Sequence, residues 1–248
     1  MAEVRAEVTY VKHHKRKIAY LFSAMRHFAK SLGDDGIAVR YRRLDDPDNT
    51  GSLAGEVANA IAVFGPDRIV ITAPGEYRLA DEMAGWQAHF GLPVEIRDDT
   101  RFLCSLDDFA EWAEGRKSLR MEFFYRDLRR RYQVLMEGDE PIGGKWNYDA
   151  DNRQPPKAGL AVPPPSSFAP DAITAEVLAL VEMRCADHFG QLAGFDFAVT
   201  RDQALDVLDQ FIAERLPLFG TYQDAMIEGE PWMYHSHIGL YLNAGLLS

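Results

Sequence analysis

The chain has 248 residues, 47% hydrophobic and 26% charged, an ordinary globular composition with room for one large domain or two modest ones. Its formal net charge of −11 argues against wide sequence-independent nucleic-acid binding by the chain as a whole, because neutralising phosphates takes clustered Lys and Arg. No apolar run reaches the roughly 18–20 residues of a membrane span, MAEVRAEVTYVKHHKRK has no signal-peptide core, and Cys104 and Cys185 lack CxxC spacing, so the expected compartment is a reducing cytoplasm.

In chain order, residues 15–32 carry Ile18, Leu21, Phe22, Met25, Phe28 and Ala29 at helical spacing, with Gly33 as the stop. Residues 37–44 alternate like a strand. Residues 50–64 read as a helix, capped by Thr50 or Ser52 and ended by Gly65-Pro66. The β-branched run 68–72 reads as a buried parallel strand. A helix over 77–90 ended by Gly91, a strand over 94–97 and a helix over 106–115 follow. Alternating strands and helices predict an α/β fold with a Rossmann-like parallel sheet over 1–118, in which the opening strand is short or missing.

Residues 119–136 read as a long amphipathic helix, and 137–170, rich in Gly and Pro, as an ordered connector. From Asp171 the pattern is helical only, over about 171–188, 201–214 and 233–248, the start of an all-α domain spanning 171–248. The basic clusters His13 to Lys17 and Arg126, Arg129, Arg130 and Arg131 read as solvated helix faces with acidic neighbours. The last helix has Ser236 as its expected cap and no glycine stop. Its polar entrance, with His235 and His237, suits an anion, because a helix start presents backbone N–H groups. Two histidines two residues apart point to different helix faces, which argues against zinc. The GxGxxG, GxxxxGK[ST] and GxSxG motifs are absent.

Four stretches carry a resemblance: EVTYVKHHKRKIAYLFSAMRHFA (7–29), LDDPDNTGSLAGEV (44–57), GGKWNYDADNR (143–153) and FGTYQDAM with WMYHSHIGLYLNAGLL (219–247). Through them the chain resembles the photolyase-related branch of the photolyase/cryptochrome superfamily, the prokaryotic iron–sulfur type that includes bacterial 6-4 photolyases. The resemblance implies an antenna-binding α/β domain followed by the start of a helical flavin domain. It implies FAD contacts from Tyr222, His235, Ser236, His237, Ile238, Tyr241 and Leu242. It implies a ribolumazine antenna contacted by Glu7 and Tyr10, with Leu21 lining the same pocket. His235-Ser236-His237-Ile238-Gly239-Leu240-Tyr241-Leu242 matches the usual Thr-Ser-x-Leu-Ser-Pro-Tyr-Leu pattern at Ser236, Tyr241 and Leu242 and departs from it at Gly239-Leu240.

The family opens with a strand and a Gly-Asp-Gln-Leu-like turn and continues well past the flavin motif. The chain is therefore expected to be an internal segment, and the [4Fe–4S] cysteines, most of the FAD pocket and the DNA-facing surface to lie outside it. No catalytic residue and no metal ligand is expected within these 248 residues. The activity implied for the full-length protein is light-driven repair of pyrimidine dimers, 6-4 photoproducts foremost, on UV-damaged DNA by a monomer. The alternatives are a cryptochrome-type blue-light photoreceptor and an inactive fragment keeping only the antenna pocket.

Overall fold

The computed structural model describes residues 1–152, 154–157 and 159–248. Two helices open the chain, α1 (Arg5–Thr9) and α2 (Lys15–Asp34). The His14 ring accepts the Arg16 amide at the start of α2. The helix runs through Gly33, contrary to expectation, and the chain turns at Gly36, where φ is +80°. One buried stripe of α2, including Ile18, Ala19 and Phe22, faces α8 (Ala172–Arg184).

The strand expected over 37–44 does not form. Arg42 makes a single parallel bridge to Ala2, and Arg40 accepts from the Met1 amino group. With only Met1 to Glu3 alongside, the segment has no ladder to extend. The sheet that does form is short and parallel: β1 (Ile69–Thr72) beside β2 (Val94–Arg97), with Ile69 opposite Val94. The molecule is thus a mixed α/β protein with a short parallel sheet. Helix α3 (Leu53–Phe64) is capped by Ser52, whose hydroxyl accepts from the Gly55 amide, and closed by Gly65 in the left-handed region. Thr50 instead turns its amide and hydroxyl to Glu56.

The helix expected over 77–90 is two, α4 (Tyr77–Ala84) and α5 (Trp86–Phe90), broken at Gly85. Helix α6 (Leu106–Ala113) starts with a capping box between Ser105 and Asp108. Helix α7 (Met121–Tyr132) stops at Gln133, itself left-handed at φ +54°, four residues earlier than the amphipathic pattern runs. The connector then makes an antiparallel pair, β3 (Met136–Glu137) with β4 (Glu140–Pro141), and a 3-10 turn over Asp149–Asp151.

The helical part holds α8, α9 (Arg201–Gln210), a π-helical turn at Phe211–Arg215, α10 (Leu216–Tyr222) and α11 (Gly239–Ala244). The last helix corrects two expectations. It covers six residues, not sixteen, and begins after Ile238 with no side-chain cap, so Ser236 does not cap it. It also has a glycine stop: Gly245 at φ +79°, with the Leu246 and Leu247 amides both turning back to the Tyr241 carbonyl.

The core gathers Ile18, Tyr20 and Phe22 from α2, Val177 and Val181 from α8, and Phe195, Val207 and Tyr241 from later elements. It joins the first 34 residues to the last 80. Glu3 anchors the amino-terminal end: fully buried, it pairs with both Arg26 nitrogens at 2.7 and 3.0 Å and accepts from Tyr41 Oη and the Leu44 amide. Each carboxylate oxygen is satisfied twice, which a buried charge requires.

Candidate functional site

Both parallel strands end at the same level, at Thr72 and Arg97, and the Ala73 amide continues the pairing to the Arg97 carbonyl at 2.7 Å. Beyond those ends the loop Asp98 to Arg101 forms one wall of a cleft of about 530 Å³. Leu21 and Met25 of α2 form the opposite wall, and Gly245 closes it from the end of α11. Asp99 takes Nε and Nη2 of Arg101 at 2.9 and 2.5 Å, and these bonds hold its carboxyl below the usual carboxylate range. The Arg101 guanidinium lies against Gly245, whose positive φ favours glycine there. Parallel α/β sheets bind ligands in crevices outside the carboxyl ends of their strands, and this volume suits a small heterocycle.

Glu7 and Tyr10 come together elsewhere, around Arg78, which the sequence did not single out. Arg78 Nη1 and Nη2 donate to the two Glu7 oxygens at 3.1 and 2.5 Å, and its Nε donates to Glu76 at 2.9 Å. Its guanidinium lies 4.4 Å from the centre of the Tyr10 ring. Hydrogen bonds to Glu7 and then Glu76 raise the pKa of Arg78. One ring face and both carboxylate oxygens are therefore already engaged, and a heterocycle stacking on Tyr10 would use the ring's other face. Leu21 lines the cleft at the strand ends, which Glu7 and Tyr10 do not line. Arg78 had one sequence signal, an Arg two residues after an acid where a helix follows a parallel strand, and that is too common a pattern to be selective.

The residues expected around a flavin separate into two groups. Tyr241 packs in the core, its ring 6.1 Å from Tyr20 and its hydroxyl accepting from the Ala198 amide; burial raises its pKa. Tyr222 is buried against Tyr234 with ring centres 5.8 Å apart, and Tyr234 in turn donates to the Ala161 carbonyl in the connector. His235 and Leu242 are exposed, and Ser236 and Ile238 are half-buried. His237 sits at φ +56° with its ring edge-on to Trp232 at 5.1 Å, and burial lowers its pKa. None of these residues lines the cleft at the strand ends.

The residue types of the connector, Arg153 included, suit turns and bonds that would clamp a crossover. Among the described residues, Tyr148 Oη donates to the Gly143 carbonyl at 3.1 Å, Asn147 bonds Asp149, and the Gln154 amide reaches Thr221 at 3.3 Å. Arg153, expected to share in this, lies outside the described residues. The cysteines do not suit a metal cluster. Cys185 is buried in the core, where burial raises its thiol pKa, and Cys104 donates to the Ser105 carbonyl. Among the described residues no three His, Cys, Asp or Glu side chains converge, and no helix is long and apolar enough to cross a membrane.

Residues 1–197 match the family model of deoxyribodipyrimidine photo-lyase-related proteins. Over 247 residues the chain is 52% identical to a (6-4) photolyase of Agrobacterium fabrum, covering 100% of this chain and 49% of that protein. It is 26% identical over 149 residues to an uncharacterised protein of Acanthamoeba polyphaga mimivirus, covering 58% of this chain and 74% of that one. The chain thus spans about half the length of the photolyase it matches. It belongs to the deoxyribodipyrimidine photo-lyase-related protein family.

Proposed function

We propose that this chain serves the light-driven repair of pyrimidine dimers in DNA, with 6-4 photoproducts as the lesion. The observation that carries this reading is the 52% identity, sustained along the whole chain, to a (6-4) photolyase. The activity is assigned to a protein of that relative's full length. Within the chain, the division is an antenna-type, Rossmann-like part over 1–118, a helix and connector over 119–170, and flavin-side helices over 171–248.

The cleft beyond Thr72 and Arg97 is assigned to a ribolumazine antenna. Leu21 supplies an apolar wall, while the carboxylates of Asp98 and Asp99 and the hydroxyl of Thr100 are suited to ribityl hydroxyls or ring N–H groups. Bound there, the chromophore would absorb light for the reaction. Glu7, Arg78 and Tyr10 form a second polar and aromatic contact surface. FAD is assigned to Tyr222 and the 235–242 segment together with residues beyond this chain. A [4Fe–4S] cluster is not assigned to Cys104 or Cys185.

A repair assay under blue light, on an oligonucleotide carrying a 6-4 photoproduct, tests the reading. Joined to the part of the Agrobacterium relative outside the match, the chain should restore the lesion. The 248 residues alone should hold FAD weakly or not at all and repair nothing. A stoichiometric flavin band in the purified chain would overturn the second expectation, and a flavin-loaded but repair-inactive joined protein would overturn the first.

A further inference from the structure

Residues 116–132 carry seven Arg and Lys against two acids, in a chain whose net charge is −11. Folding concentrates this segment further. Arg126, Arg129 and Arg130 of α7 converge on one indole, with guanidinium carbons 5.4, 5.2 and 4.7 Å from the centre of the Trp146 ring. Arg116 lies 4.3 Å over Trp112, and Arg131 lies 5.5 Å from Tyr132. Three carboxylates meet these cations among the described residues: Glu122 with Arg126, Asp127 with Arg116 and Arg130, and Asp108 with Arg131. Arg129 is buried and donates to the Val134 and Leu135 carbonyls, so the cations open to a ligand are Arg116, Lys117, Arg120, Arg130 and Arg131, with Arg126 half-buried; aromatic contact does not discharge them.

Exposed aromatic rings are interleaved with the cations. Phe123, Tyr125, Tyr132 and Tyr148 are all more than a third exposed. The apolar side of α7 is not available to a bilayer, because Phe124 is buried against Phe109 and Trp112 at 5.2 and 4.9 Å. Guanidinium forks match phosphate oxygens bidentately, and exposed rings offer stacking faces to unpaired bases. We infer that α7, with Trp146 and Tyr148 of the connector, is a docking surface for the backbone and bases of single-stranded DNA, separate from both candidate chromophore regions. The inference rests on the repair reading only for the choice of DNA as the nucleic acid. Arg126, Arg130 and Arg131 have the acidic neighbours expected of a solvated face, and the inference adds a ligand to that face.

The test is fluorescence anisotropy of a labelled, undamaged oligothymidylate with the 248-residue chain, in the dark and at low salt, so that neither flavin nor repair is involved. The wild type should bind. R130Q/R131Q should weaken binding by about tenfold and reduce the slope of log affinity against log salt by about 0.7 for each phosphate no longer neutralised. R68Q/R97Q, which removes the same charge beside Glu95 at the sheet, should stay within about twofold of wild type. R120Q, at the start of α7, is the second probe should the double variant lose its thermal transition, and it should also weaken binding. No wild-type binding, equal losses in the two double variants, or tighter binding to phosphatidylserine vesicles than to the oligonucleotide would overturn the inference. Each of those results leaves the repair reading standing, and a repair failure leaves this binding assay unchanged.

Discussion

The two ends of the chain and its middle obey the same hydrophobic pattern with opposite results. In α2, α8 and α9 the apolar stripes meet, and Ile18, Val177, Val181 and Ala204 are essentially sealed from solvent. Between Asp45 and Pro170 the buried residues among those described are Glu56, Trp86, Phe124, Arg129 and Pro141. The strand residues Val70 and Ile96 are over 40% exposed, and Val63 and Phe64 at the end of α3 are about two-thirds exposed. A helix pair can bury a stripe by itself, whereas a two-stranded parallel sheet offers too little surface to bury either face. Amphipathic sequence therefore specifies which face is apolar, and the number of neighbours decides whether that face is covered.

Substitutions should reproduce this contrast. The largest effect is expected at the joint between the opening residues and α2. Glu3→Ala removes the buried carboxylate and leaves Arg26 only the half-exposed Glu176 at 3.6 Å, and should cost about 3–5 kcal/mol in denaturant unfolding; a loss under about 1 kcal/mol would mean that the amino-terminal end is not tied to the core. Next, Ile18→Ala should cost about 2–5 kcal/mol, while the same change at half-exposed Ile96 should cost about 1 kcal/mol. Equal costs would break the comparison. Smaller again, removing the helix caps by Thr200→Ala in α9 and Ser52→Ala in α3 should each cost about 1 kcal/mol, because a cap is a local bond and does not depend on the layer around it.

The smallest effect is a pH dependence at Asp171, the cap of α8. Burial pushes its carboxyl up, but the Thr174 amide and the His27 ring outweigh that and bring it down to about 2, from an ordinary 3.8. A carboxyl lowered by folding stabilises the fold above its unfolded value and loses that contribution as pH falls through its folded one. The wild type should therefore lose stability between about pH 4 and 2 more steeply than Asp171→Asn, measured by thermal unfolding across that range.

Local signals in the sequence were legible where the cause is local. The β-branched run at Ile69–Thr72, the Ser52 cap, and the glycine stops at Gly65 and Gly91 all stand where the residues point, but the strand expected to be buried has no buried residue, because a two-stranded sheet leaves its faces uncovered. The strand over 37–44 failed because alternation cannot supply a pairing partner, and the helix over 77–90 broke at Gly85, which the apolar pattern spans. The last helix is shorter than the pattern predicts because His237 adopts a positive φ before it and Gly245 ends it in the left-handed region, a local signal the expectation of no glycine stop passes over. At the candidate sites Glu7 and Tyr10, expected beside an antenna, meet around Arg78, for which the sequence carries no selective signal. The cleft at the strand ends, built from Leu21, Arg101 and Gly245, joins residues over 200 positions apart and has no sequence signature.

The cleft beyond Thr72 and Arg97 is proposed to take the flat antenna chromophore. The most direct test is a fluorescence titration of ribolumazine into the wild-type chain and Leu21→Trp, which fills the cleft while leaving Glu7, Arg78 and Tyr10 in place. Saturable binding by the wild type, weakened about tenfold or more in the variant (about 1.4 kcal/mol), is the predicted result. No saturable change with the wild type, or unchanged affinity in Leu21→Trp, would contradict it.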